Sequence, residues 1–167
     1  MNRNSITLGI IPVSVRTTIK TDSKGNNTTK TAYNQWALVG YYTDKSGKTV
    51  RAPFAQIQGL CGMGKENLVT VGSRDKLMSV AVVLAATGFQ LKPYIKGGAE
   101  DALKRLKERA ENAVKRTEKV MADGKEAYLA TVKDNGEKAW EAMPSRLTDK
   151  KDAVKDLDGI LSLIRSK

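Results

Sequence analysis

Residues 6–20, ITLGIIPVSVRTTIK, decide how this chain reads. Ile6, Leu8 and Ile10 fall on even positions, and Val13, Val15, Thr17 and Ile19 on odd ones. Alternation of apolar and β-branched residues with a period of two marks a strand with unlike faces. The phase changes at Ile11-Pro12, where a β-bulge or an edge-strand proline would place the change. Residues 33–43, YNQWALVGYYT, repeat the pattern, with Trp36, Leu38, Gly40 and Tyr42 on one side and Ala37, Val39 and Tyr41 on the other. Asp44-Lys-Ser-Gly-Lys48 then reads as a hairpin turn into a strand over Thr49–Ile57. The polar stretch from Asp22 to Lys30 lacks apolar periodicity and reads as a loop. The front of the chain is therefore expected to be a meander of at least three antiparallel strands, compatible with an OB-like barrel by fold-level analogy.

The pattern breaks at Gly59–Gly64, and Asn67–Val71 can form one more short strand. Ser73 suits an N-cap, Asp75 suits the first turn, and an apolar helix runs from Arg74 to about Thr87 before Gly88 stops it. Phe89–Ile95 reads as a returning strand, and Lys96-Gly-Gly98 as the joint between residues 1–96, a basic β-rich domain, and residues 97–167, a helical region for interaction or oligomerisation. Ala99, Leu103, Leu106, Ala110, Ala113, Thr117 and Val120 step by alternating fours and threes, a heptad seam that Asp123-Gly124 ends. Residues 128–143 read as a helix broken near Asn135-Gly136 and stopped before Pro144, with a hairpin on Asp134-Asn-Gly136 as the alternative. A last helix is expected from Asp149, capped by Thr148, with Val154, Leu157, Ile160, Leu161 and Ile164 as its stripe. The fold class is thus α+β.

Charge separates the two halves. The whole chain carries +11, and residues 1–95 hold 12 basic and 4 acidic side chains against 17 and 14 in residues 96–167. Seven of the nine aromatic residues also lie in the first 95. Uncompensated positive charge draws polyanions, whereas the back half reads as mixed-charge helical faces. Cys61 is the single cysteine and there is no histidine, so neither a disulfide framework nor a His/Cys zinc site can be written. Residues 1–16 resemble neither a signal-peptide core nor a membrane span, and the expected location is cytoplasmic.

Enzymatic chemistry finds little support. Gly59-Leu-Cys-Gly-Met-Gly64-Lys65 has the spacing of a phosphate-binding loop, but Glu66 stands where Ser or Thr would hold magnesium. Cys61 has no histidine to activate it. The expectation is a non-enzymatic protein without cofactor or metal that binds nucleic acid, single-stranded or by its backbone. Trp36, Tyr41, Tyr42 and Phe54 are its stacking candidates, and Arg16, Lys20, Lys30, Lys48, Arg51 and Lys65 its phosphate contacts. The alternatives are an assembly subunit self-associating through the Ala99–Val120 helix, or a basic inhibitor or adaptor of an acidic protein. A membrane partner is not expected, because the helical stripes lack large aromatic anchors.

Overall fold

The computed structural model describes residues 2–52, 57, 59, 60 and 71–166. A 3₁₀ turn at Arg3–Ser5 leads into β1 (Thr7–Thr21), β2 (Asn27–Thr43) and β3 (Thr49–Ala52), followed by β4 (Val71–Gly72) and α1 (Arg74–Ala86). The chain continues through β5 (Gln90–Leu91), α2 (Pro93–Asp123), α3 (Lys125–Thr131), α4 (Gly136–Glu141) and α5 (Met143–Arg165). The strands lie in the order β3-β2-β1-β5, with β4 also paired to β2. The three-stranded meander forms, although β3 is Thr49–Ala52 and Ile57, expected in that strand, is helical; β5 joins β1 in parallel after the α1 crossover, so the sheet is mixed rather than antiparallel. The described strands follow an open path, and the OB-like analogy gains nothing from them.

Apolar alternation becomes a core where α1 covers the sheet. Ile6, just before β1, Leu8 and Ile10 of β1 and Leu38 of β2 pack with Leu77, Met78, Ala81 and Leu84 of α1 and with Ile95 and Ala102 of α2. Full burial of one such aliphatic side chain contributes roughly 1.5–3 kcal/mol. Ser73 caps α1 by accepting the Lys76 N–H at 3.4 Å. At the other end, Gly88 takes φ +118°, which a side chain would resist. A second cluster joins Val82 of α1, Ala99 and Leu103 of α2 and Leu161 of α5, flanked by Leu106, Leu157, Ile160 and Ile164. Part of the heptad seam thus meets α5 of the same chain.

Four expectations change. Phe89–Ile95 yields only a two-residue strand, because Pro93 opens α2 at its first turn. Lys96-Gly-Gly98 is therefore not a joint: α2 runs through it for 31 residues, about 46 Å. Pro144 likewise opens α5 rather than stopping a helix, so Thr148 lies inside α5 and donates to the Pro144 carbonyl. Residues 128–143 are helical on both sides of a break at Asn135, which is left-handed at φ 55°. The fourth change concerns residues 22–30. Only Asp22–Asn26 turns, and β2 begins at Asn27.

The α1 and α2 helices are also clamped by charge. Arg105 reaches both carboxylate oxygens of Asp75, donating from Nη2 at 2.8 Å and from Nε at 3.1 Å, with Arg109 3.9 Å away. The Arg105 hydrogen bond holds the Asp75 carboxyl below its ordinary value of 3.8. A carboxyl depressed in the folded state contributes fully above that value and loses its contribution as pH falls through and below it. In urea titrations Asp75→Asn is expected to be less stable than wild type near neutrality. That gap should close below about pH 4. Packing gives a second test. A methyl on Gly40 would lie 2.8 Å from Ile57 Cδ1 and 2.9 Å from Ile6 Cγ2, whereas one on Gly97 would meet nothing within 4 Å. Gly40→Ala should cost about 1–3 kcal/mol, and Gly97→Ala, inside α2, should add about 0.5–1 kcal/mol.

Candidate functional site

The β1–β2 hairpin outruns the layer that covers it. From Pro12 outward nearly every residue of β1 is exposed, as is every residue of β2 up to Gln35. Exposure on successive residues means exposure on both faces, so the outer hairpin is a bare two-stranded ribbon. The boundary is marked by irregularity in both strands. Pairing passes from Pro12↔Trp36 to Ser14↔Gln35 and then to Val15↔Tyr33, so Val13 and Asn34 stand outside the ladder. Bulges of this kind bend a strand and re-aim the residues beyond them. Beneath them the Tyr94 hydroxyl accepts the Ile10 N–H at 2.6 Å and donates to the Ile10 carbonyl at 3.0 Å. It ties off the β1 edge just beyond its short pairing with β5.

The tip is closed by its own side chain. Asp22 Oδ1 accepts the N–H groups of Lys24 at 2.9 Å and Asn26 at 2.8 Å, while Gly25 takes φ +83°. The same arrangement closes β2 to β3, where Asp44 Oδ1 accepts Ser46 and Lys48 N–H groups and Gly47 takes φ +82°. Asp-x-x-Gly-x therefore builds both turns. The bonds from Asn26, backbone first, hold the Asp22 carboxyl below its ordinary range.

Register sorts the ribbon into two faces, because directly opposed residues share a face and successive residues alternate. One face carries the pairs Arg16↔Ala32, Thr18↔Lys30 and Lys20↔Thr28. The other carries Val15↔Tyr33, Thr17↔Thr31, Ile19↔Thr29 and Thr21↔Asn27. Arg16, Lys30 and Lys20 thus occupy three successive rungs of one face, roughly 7 Å apart. Asp22, in the turn, is the one acid between Pro12 and Gln35. On the opposite face Val15, Ile19 and Tyr33 are each at least half exposed.

The other sequence candidates lie elsewhere. Trp36 and Tyr42 pack against the core cluster and support it. Arg74 sits over the Trp36 ring at 5.6 Å, and Tyr33 meets that ring edge-on. Tyr41 is half-buried beneath the Lys92 ammonium, 4.9 Å from its centroid. Arg51 pairs with Tyr41 across β3, and Lys48 ends the β2–β3 turn, so both belong to the opposite end of β2 from the ribbon tip. Phe54 and Lys65 lie outside the described residues, as do Cys61 and Glu66. The structure brings together Arg16, Lys20 and Lys30 and does not join them to the ring set. Sequence reasoning passes over Tyr33 and Lys24 as site residues. The repeated Asp-x-x-Gly turn is the signal that would have extended both strands far enough to place them.

Among the described residues no group of three His, Cys, Asp or Glu side chains could hold a metal, and no helix is long and apolar enough to cross a membrane. No family model, curated protein or solved structure matches this chain.

The distinction between supporting and open rings is measurable. Trp36→Ala should lower unfolding stability by about 1–3 kcal/mol, because it removes packing from the core edge, whereas Tyr33→Ala should change it by no more than about 0.5 kcal/mol. Urea titrations followed by circular dichroism give both values.

Proposed function

We propose that this chain is a non-enzymatic nucleic-acid-binding protein that grips the phosphate backbone with its β-ribbon. The observation that carries this reading is the ladder of Arg16, Lys30 and Lys20 on one face of a bare hairpin. A two-stranded hairpin is marginal by itself in water, and three like charges on one face weaken it further. A polyanion along that face removes the repulsion and releases the counterions that otherwise accumulate there. The ribbon also has a suitable shape. Its strands are about 4.8 Å apart, and a two-stranded ribbon fits the duplex major groove, about 12 Å wide.

Trp36 and Tyr42 are engaged by the core and Tyr41 by Lys92, which leaves Tyr33 as the open ring on the ribbon. Support therefore shifts from base stacking on a broad aromatic sheet to backbone contact. Phosphate contacts position a protein and contribute affinity without reading sequence.

A specific observation favours a second reading. Val15, Ile19 and Tyr33 form an exposed apolar stripe on the reverse face, and such a stripe suits assembly of several copies. Sedimentation of wild type against Ile19→Lys separates this reading: a mass that falls to the monomer in the variant supports assembly.

The test of the main reading is a salt titration of anisotropy with labelled single- and double-stranded oligonucleotides. Replacing Arg16, Lys20 and Lys30 together by Gln should flatten the log–log salt slope by about 3 and weaken binding more than tenfold near 0.1 M salt. The Lys48→Gln/Arg51→Gln pair should change it far less. An unaltered slope in the triple variant overturns the ribbon as the binding element.

A further inference from the structure

A second cationic feature lies in the helical half, apart from the ribbon. Along α2, Ala113, Thr117 and Val120 share a face with Arg116 at its edge, and Met143, Arg146 and Lys150 share one on α5. These two faces, with Tyr128 of α3, line an open cleft of about 300 Å³. No Asp or Glu lines it. Several other cations on the same helices are matched by acids: Lys107 with Asp158, Lys151 with Glu118, Lys104 with Glu100. Among the described residues neither Arg116, Arg146 nor Lys150 has a carboxylate within 4.0 Å.

The innermost cation is held in place. Lys150 Nζ donates to Thr117 Oγ1 at 2.6 Å, and that hydroxyl donates in turn to the Ala113 carbonyl at 2.9 Å. Thr117 is buried, so this relay fixes the ammonium at the cleft wall with a neutral partner only. Drawing a charge partly out of water without a counter-charge is unfavourable unless an anion completes it. Two of the three ammonium donors remain for such an anion, and Arg116 and Arg146 line the same cleft.

We infer that this cleft binds a small phosphate monoester. Three cations match a dianion, and guanidinium forks suit its oxygens, whereas a carboxylate would be served by one fork alone. Tyr128 and Met143 supply an apolar wall for the esterified group. The volume sits at the lower end for ligand pockets and selects a compact molecule rather than a long chain. The Tyr128 ring packs against Trp140, centroids 5.7 Å apart, which places a fluorescent reporter beside the site.

The experiment is isothermal titration calorimetry of the full chain at fixed ionic strength with phenyl phosphate, inorganic phosphate and acetate, alongside tryptophan fluorescence. Phenyl phosphate should bind more tightly than inorganic phosphate, acetate should give no signal, and Trp140 emission should change. The Arg116→Gln/Arg146→Gln variant should bind at least tenfold more weakly. Both arginines are exposed, so the substitution leaves the fold intact, and unchanged circular dichroism checks this. Lys151→Gln, which breaks the Glu118 pair on the neighbouring face, should bind as wild type does. The ribbon triple variant should also retain the site, so its failure and failure of the nucleic-acid reading are separable. Equal heats from acetate, an unaffected double-arginine variant, or binding of oligonucleotide phosphodiesters alone would each overturn the inference.

Discussion

The ladder between β1 and β2 is the constraint on which the rest depends, because one continuous pairing serves two environments. Toward the body it presents Leu8, Ile10 and Leu38 to α1 and is buried. Beyond Pro12 it continues with nearly every residue exposed. The backbone hydrogen bonds are the same in both stretches, but side-chain burial is not. Cooperative stability is therefore concentrated at the root, and the outer ribbon depends on its ladder and on the Asp22 turn. The offset at Val13 and Asn34 falls where one regime gives way to the other. That placement lets the body hold a rigid register while the ribbon takes its own direction.

The helices secure the root. The α1 helix is apolar nearly all round because it has neighbours on two sides, the sheet through Leu77 and Ala81 and the α2–α5 pair through Val82. Ile95 and Ala102 of α2 reach the sheet cluster, while Ala99 and Leu103 turn to α5. One long helix thus joins both clusters, which is why no joint appears at Lys96-Gly-Gly98. The Asp75–Arg105 pair adds an electrostatic clamp between α1 and α2 at a site sheltered enough for its geometry to count.

Much of this was legible in the sequence. Period-two alternation located both long strands, and Ser73 and Gly88 bracketed α1 to within a residue. Errors arise where a residue has opposite meanings in two contexts. Proline ends one helix and begins another, so Pro93 reads as part of a strand and Pro144 as a stop, although both open helices. Polar Thr-rich sequence reads as loop when burial is the signal sought. Yet Thr28, Thr29 and Thr31 are β-branched and pair well with nothing covering them. The basic ladder was visible only as composition, because three cations on one face require a register, and the register depends on the Asp22 turn. Rings mislead for the converse reason. Sequence locates Trp36 and Tyr42 without saying that α1 and its neighbours already occupy them.

Charge compensation separates what is structural from what remains available for recognition. On the helices acids and bases meet across turns and between α2 and α5, as Lys107 does with both Glu111 and Asp158. Exposed pairs of this kind contribute little to stability, but they cancel the local field. Among the described residues, cations without such a partner gather on the ribbon face of Arg16, Lys20 and Lys30 and in the cleft of Arg116, Arg146 and Lys150. These differ in a way that bears on their ligands. The ribbon spaces its cations along an open line, a geometry for an extended polyanion whose charges repeat. The cleft sets its cations around one open volume, which is why a single compact anion is proposed there. The net charge of +11 sums both and distinguishes neither. Arrangement rather than total charge is what separates the two proposals, an extended ligand at one site and a small one at the other.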